Sequence, residues 1–221
     1  MTGVVPGQGQ GTTAVVPLRD GVSGKSRLAA VLDAGSRRRL IRVLARHVVT
    51  TLLAADGIER VVVVTADPAF TRETLAGLAV EVLEQPADRP GLNAALEHAR
   101  EVLAAGSAGR LLVAHADLPA LSPGDVAAIL AEDAPVVIAT DRNRSGTNLL
   151  LLPVQGAGPR FRFRFGADSL AAHLAEAEAH GLDVRVVYRP GTAVDLDTTD
   201  DWSQLPDEVR SAVGQQVPGL L

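Results

Sequence analysis

Three aspartates and one lysine supply the residue types from which phosphate chemistry can be assembled. Asp117 stands in His115-Ala116-Asp117-Leu118-Pro119-Ala120-Leu121, just after Gly109-Arg110-Leu111-Leu112-Val113-Ala114, a short apolar run that reads as a buried strand. Pro119 stops further ladder pairing. In an open α/β sheet ligands bind at the carboxyl ends of the strands, so Asp117 is placed to hold a divalent metal against a nucleotide phosphate. An aspartate that merely opens a turn before the next helix satisfies the same pattern. Asp195 and Asp197 flank Leu196 in an extended stretch. A period of two puts both carboxylates on one side, roughly 7 Å apart at the Cα atoms. With Asp117 they would form a hard, oxygen-only site suited to magnesium.

The cations come from Arg19-Asp20-Gly21-Val22-Ser23-Gly24-Lys25-Ser26-Arg27. A P-loop needs four residues between its glycines, and Gly21 and Gly24 have two, so the Walker reading fails. What survives is a glycine-rich loop between first strand and first helix, with Arg19, Lys25 and Arg27 able to neutralise phosphates; a solvated loop would look alike. Thr147 offers a hydroxyl and backbone N–H at a tight turn, and Gly166 and Ser169 could present donors to an anion at a helix N-terminus, with plain capping as the alternative for Asp168 or Ser169. Asn93 heads a helix after Gly91-Leu92; a contact to guanine or ribose and a capping role are both open. None of the five histidines has ligand spacing with another, which argues against zinc, and no serine lies in a nucleophile elbow. Trp202 and Tyr188 read as packing residues.

These groups need a scaffold, and the pattern supplies alternating strands and helices. Strands are expected at 12–18, 60–65, 80–83, 110–114, 135–140, 148–152 and 184–188. Helices are expected from Ser36 as N-cap over 37–54, and over 68–78, 92–105, 123–131 and 168–180, with a terminal helical region after Thr198. Phe161 to Phe165 alternates phenylalanine with Arg162 and Arg164, which read as solvated arginines of a strand face. Residues 1–11 lack any period and read as a flexible tail. No linker divides 12–221, so the expectation is one α/β domain, a layered sandwich.

Composition is ordinary for a soluble globular protein: 221 residues, 47% hydrophobic and 21% charged. A net charge of -5 gives no sign of a general nucleic-acid binder, and 3% aromatics disfavours base-stacking platforms. The chain has no cysteine, which excludes disulfides and thiolate chemistry. Without a leader pattern or an apolar run near ~20 residues, the expected setting is cytoplasmic.

The order of motifs carries a resemblance. The loop ending Lys25-Ser26-Arg27-Leu28, Gly91-Leu92-Asn93-Ala94-Ala95, His115-Ala116-Asp117-Leu118-Pro119, Asp141-Arg142 with Gly146-Thr147-Asn148, Phe165-Gly166-Ala167-Asp168-Ser169 with His173, and Asp195-Leu196-Asp197-Thr198 follow one another over roughly residues 13–204. The set resembles the phosphoenolpyruvate/2-phospho-L-lactate guanylyltransferases of coenzyme F-420 biosynthesis. The resemblance implies a Rossmann-like, mostly parallel mixed sheet of the nucleotide-diphospho-sugar transferase (GT-A-like) type. It implies GTP as nucleotide donor, Thr147, Gly166 and Ser169 as holders of the phosphoenolpyruvate-type acid, and Asp117, Asp195 and Asp197 as ligands of Mg2+. Its first loop is more glycine-rich than the family pattern, which leaves Arg19 and Arg27 without assigned roles. Competing expectations are a nucleotidyltransferase of another pathway, a kinase or NTPase using the Gly-Lys-Ser loop, and a non-catalytic nucleotide-binding module.

Overall fold

A computed structural model describes residues 11–19, 25–106, 109–155 and 160–220. The tail 1–10 and the glycines at 21 and 24 lie outside them. The chain runs β1 (Thr12–Leu18), a 3₁₀ turn (Ser26–Leu28), α1 (Ala34–Leu53), β2 (Ile58–Thr65), α2 (Pro68–Thr74), β3 (Val80–Glu84), α3 (Leu92–Ala104), β4 (Arg110–Ala114), α4 (Pro123–Leu130), β5 (Val136–Thr140), β6 (Thr147–Pro153), α5 (Ser169–Ala179), β7 (Val184–Val187), a 3₁₀ turn (Pro190–Thr192), α6 (Thr199–Gln204) and α7 (Asp207–Gln216). The sheet order is β3-β2-β1-β4-β6-β5-β7. Every pairing is parallel except those of β6, which runs antiparallel to both β4 and β5.

Two apolar layers flank this sheet, which makes the three-layer sandwich expected from the sequence. Because strand side chains alternate, Ala14 and Val16 of β1 join the layer under α1, α2 and α4, while Val15 joins the one under α3 and α5. The Val and Leu runs of β2, β4 and β6 are apolar on both sides because both faces are covered. A third cluster matters most for the site. It packs Leu28 and Leu32, which follow Lys25, against Leu40 and Leu44 of α1, against Leu196 and against the C-terminal helices. Among the described residues no helix is long and apolar enough to cross a membrane.

The differences from the sequence reading are local and have causes. Helix α1 begins three residues earlier than expected, because the Asp33 carboxylate, not Ser36, caps it: it accepts the Ser36 backbone N–H at 2.8 Å. Helix α2 ends at Thr74, where Arg46 of α1 donates to the Thr74 and Ala76 carbonyls. Tyr188 is half exposed instead of packed. Phe161–Phe165 pairs with no strand, although its three phenylalanines are buried and Arg162 and Arg164 are exposed as expected.

Candidate active site

Asp117 lies three residues past the end of β4, at the carboxyl edge of the parallel strands, and its carbonyl accepts the Leu196 N–H at 3.0 Å. That one bond, with fully buried Leu196 beneath it, brings the Asp195–Asp197 segment alongside the Asp117 turn. Leu196 is core and the carboxylates on either side are partly buried, but the Asp197 N–H also donates to the Asp195 carbonyl at 3.1 Å, so the segment turns tightly at Leu196 instead of running extended as expected. Thr198 caps α6 in a reciprocal box with Asp201, which also accepts the Asp197 N–H at 3.2 Å and so fixes that backbone.

Lys25 joins the three. Its Nζ donates to Asp117 Oδ2 and to Asp197 Oδ1, each at 2.6 Å. The backbone of Lys25 is left-handed, with φ 57° and ψ 34°, an unfavourable state for a side chain with a Cβ. Burial by itself would lower the lysine pKa, but Asp117 and Asp197 outweigh it and the ammonium is held more firmly charged than usual. Burial would likewise raise the Asp117 pKa, and Lys25 reverses that to leave it below the ordinary carboxylate range. Asp195 goes the other way: burial, then the charge of Asp117, push its carboxyl up. Arg19, after β1, and Arg27, in the 3₁₀ turn, are exposed and pair with no carboxylate among the described residues.

A second group gathers next to this one because β6 is reversed. Ala114 pairs with Leu149, and the ladder continues with His115 N–H donating to the Asn148 carbonyl at 3.2 Å. Thr147, the first residue of β6, thus falls beside the turn that carries Asp117. The Thr147 N–H donates to Ser169 Oγ at 2.9 Å, and its hydroxyl lies 2.9 Å from His173 Nδ1. Asp168 is the left-handed N-cap of α5 yet its side chain makes no cap bond, and Ser169 serves Thr147, so neither residue is a plain cap. Gly166 has φ 144°, and a Cβ built there would meet nothing within 4 Å. Glycine is thus required by the backbone and leaves open space through which a ligand can approach.

Phe161–Phe165 links the groups. Asn93 donates to the Phe165 carbonyl at 3.0 Å and accepts its N–H at 2.9 Å. Glu97 accepts the Phe163 N–H, and Arg100 bonds the Phe161 carbonyl. From the other side Glu176 accepts the Arg162 N–H and His173 the Arg164 N–H, both at 2.9 Å. Helices α3 and α5 therefore take the place of neighbouring strands. Gly91, not Asn93, is the α3 N-cap, and the Asn93 amide is engaged with Phe165.

Sequence reasoning left His173 without a role, although its spacing of four from Ser169 puts both on one face of α5. It gave no role to Asp141 beyond its place in a motif; its Oδ1 accepts the Ser145 and Gly146 N–H groups at 2.8 and 2.9 Å and shapes the turn into Thr147. An Asp before a Ser-Gly turn was the available signal.

For a metal, the donor chemistry fits and a finished cage is absent. Asp117 Oδ1 is buried without a hydrogen-bond partner among the described residues; two carboxylates, Asp117 and Asp197, share one ammonium, and Asp195 feels the charge of both. Hard oxygens with excess negative charge suit a divalent cation. Yet no group of three or more His, Asp or Glu among the described residues stands ready to hold one, since Lys25 sits between Asp117 and Asp197.

The sheet order with its single reversed strand makes a mostly parallel α/β sandwich, with a lysine-braced pair of carboxylates at its carboxyl edge. Solved structures share the fold. A putative nucleotide-diphospho-sugar transferase from Desulfovibrio desulfuricans superposes with a TM-score of 0.76 at 15% identity, over 95% of this chain and 92% of its own. A nucleotidyl transferase from Methanothermobacter gives 0.63 at 22% identity, over 92% and 100%. The sequence matches the family described as "Guanylyl transferase CofC like" over residues 12–206. Two relatives named phosphoenolpyruvate guanylyltransferase come from Rubrobacter xylanophilus, 45% identical over 87% of this chain and 92% of its own, and Conexibacter woesei, 39% over 92% and 91%. The chain belongs to the CofC-like guanylyl transferase family.

Proposed function

We propose that the chain transfers GMP from GTP to the phosphate of phosphoenolpyruvate, with release of pyrophosphate, on the route to coenzyme F-420. 2-Phospho-L-lactate is the alternative acceptor. The observation that carries this reading is Lys25 held between Asp117 and Asp197 beside the Thr147–Ser169 turn: a concentrated charge site adjoining a set of neutral hydroxyls. The names of the relatives supply the substrates.

In the reaction an oxygen of the acceptor phosphate attacks the α-phosphorus of GTP, and the bond to the β-phosphate breaks. The second pKa of a phosphate monoester is near ~6, so the nucleophile is ionised at neutral pH and needs no general base. Of the two histidines by the site, His173 faces a hydroxyl and a backbone N–H, and His115 lies against Phe165 with its Nε2 buried and without a partner among the described residues. The protein must instead bring two anions together and hold them in line. Lys25 neutralises phosphate charge; Thr147, Gly166 and Ser169 hold the acid. Asp117, Asp195 and Asp197 would hold Mg2+, which when bound supplies positive charge against the polyphosphate.

The decisive assay crosses GTP, ATP and CTP with phosphoenolpyruvate, 2-phospholactate and 3-phosphoglycerate, reading pyrophosphate. GTP with phosphoenolpyruvate is expected to be fastest; ADP or GDP as product would establish a kinase or NTPase instead. Asp117→Ala is expected to abolish magnesium-dependent release, and near-unchanged turnover would sink the metal assignment.

A further inference from the structure

His173 is entirely buried, yet both of its ring nitrogens are engaged. Phe161 stacks on the ring at 5.7 Å between centroids, and Phe165 meets it edge-on at 4.7 Å. Backbone nitrogen can only donate, so the Arg164 N–H bond requires an unprotonated Nε2. The neutral ring must then carry its proton on Nδ1, and that N–H donates to Thr147 Oγ1. The bond to Thr147 thereby acquires a direction. Oγ1 accepts from the histidine, and its own proton has no acceptor among the described residues. Ser169 repeats the arrangement, since its Oγ accepts from the Thr147 N–H.

We propose that His173 is a positioning residue: it fixes the Thr147 hydroxyl as a hydrogen-bond donor aimed at the anionic acceptor, and through Arg164 it ties that hydroxyl to the loop carrying Gly166. This rests on the reading of the Thr147 side as the acceptor pocket. It also defines the ligand chemistry. A pocket whose hydroxyls have filled acceptor positions and free protons takes phosphate or carboxylate oxygens and disfavours groups that must donate. Burial of the ring keeps it uncharged, with a pKa lowered to about 4, so the direction of the bond does not change through the neutral range.

The test joins a double-mutant cycle to a spectrum. Thr147→Val removes the hydroxyl at constant shape and is expected to raise the KM for phosphoenolpyruvate by about 10- to 100-fold, with the KM for GTP little changed. His173→Leu is expected to do the same, and in the Thr147→Val background to add nothing. His173→Asn, whose amide can still donate to Oγ1, is expected to recover part of the loss and covers the case in which His173→Leu does not fold. Nitrogen-15 spectra of the unsubstituted protein are expected to show a neutral ring protonated on Nδ1. Multiplying KM effects, an equal rise in both KM values, or a proton on Nε2 would each overturn the proposal. Should no acid yield pyrophosphate, the proposed reaction fails separately. The cycle is then read as the dissociation constant of phosphoenolpyruvate, where the same two patterns decide.

Discussion

At the scale of single residues, the site pairs Lys25 with Asp117 and Asp197 and, among the described residues, leaves Asp195 without a paired cation. Its carboxyl is pushed above the usual range by burial and by Asp117, so the ionised form is disfavoured in the fold relative to the unfolded chain. Asp195→Asn should therefore raise the melting temperature while lowering turnover by about 100-fold or more, the scale of one lost transition-state charge interaction; calorimetry and a pyrophosphate assay check the two halves. The aspartates were legible as candidates because a strand end and an Asp-x-Asp spacing are local, although the Asp195–Asp197 stretch turns at Leu196 instead of running extended. The engagement of Lys25 with two of them was not, because it spans 92 and 172 positions of chain. His173 gives the clearest pH dependence. Its pKa falls from 6.5 to about 4 on folding, so between those values the unfolded chain binds the extra proton. Stability from this ring is complete above the upper value and declines as pH falls toward the lower, by at most about 1.4 kcal/mol per pH unit. Denaturant titrations of the native chain and His173→Asn should converge over that range.

At the scale of elements, the instructive piece is Phe161–Phe165. Its alternation is that of a strand, and its burial follows that alternation, but it has no ladder partner; side chains of α3 and α5 satisfy its backbone. No local pattern announces such a substitution, because the donors and acceptors lie on helices whose own spacing is ordinary. The regular strands and helices were legible for the opposite reason: their periods and caps are encoded within a few residues of where they act, as the Ser122-Pro123 start of α4 shows. The clasp makes a prediction that separates two roles for Asn93. Asn93→Ala releases both bonds to Phe165 and should raise the KM for the acid acceptor, with a loss of stability of about 1–3 kcal/mol. A rise confined to the KM for GTP would instead assign Asn93 to the nucleotide.

At the scale of the molecule, one reversed strand decides where the two halves of the site meet. Had β6 run parallel to β4, Thr147 would lie at the opposite edge, roughly 20 Å from the Asp117 turn over seven residues. Reversal also leaves Leu149–Leu152 buried between the helical layers. Leu151→Ala should cost about 2–5 kcal/mol in denaturant unfolding, since the cavity is enclosed from both sides.

The double ion pair of Lys25 has a consequence of its own. The resting site carries its own counterion. If the proposed Mg2+ site is correct, an incoming divalent ion would have to displace the ammonium to gain both Asp117 and Asp197, and the displaced ammonium would be freed for the polyphosphate. Loading would then be an ion exchange in which ion and nucleotide reinforce each other, and such coupling is reciprocal. Lys25→Met should bind Mn2+ more tightly than the native chain when nucleotide is absent, lose most of the enhancement by GTP, and turn over far more slowly. Paramagnetic resonance titrations with and without GTP measure the first two, and unchanged Mn2+ affinity would dismiss the exchange.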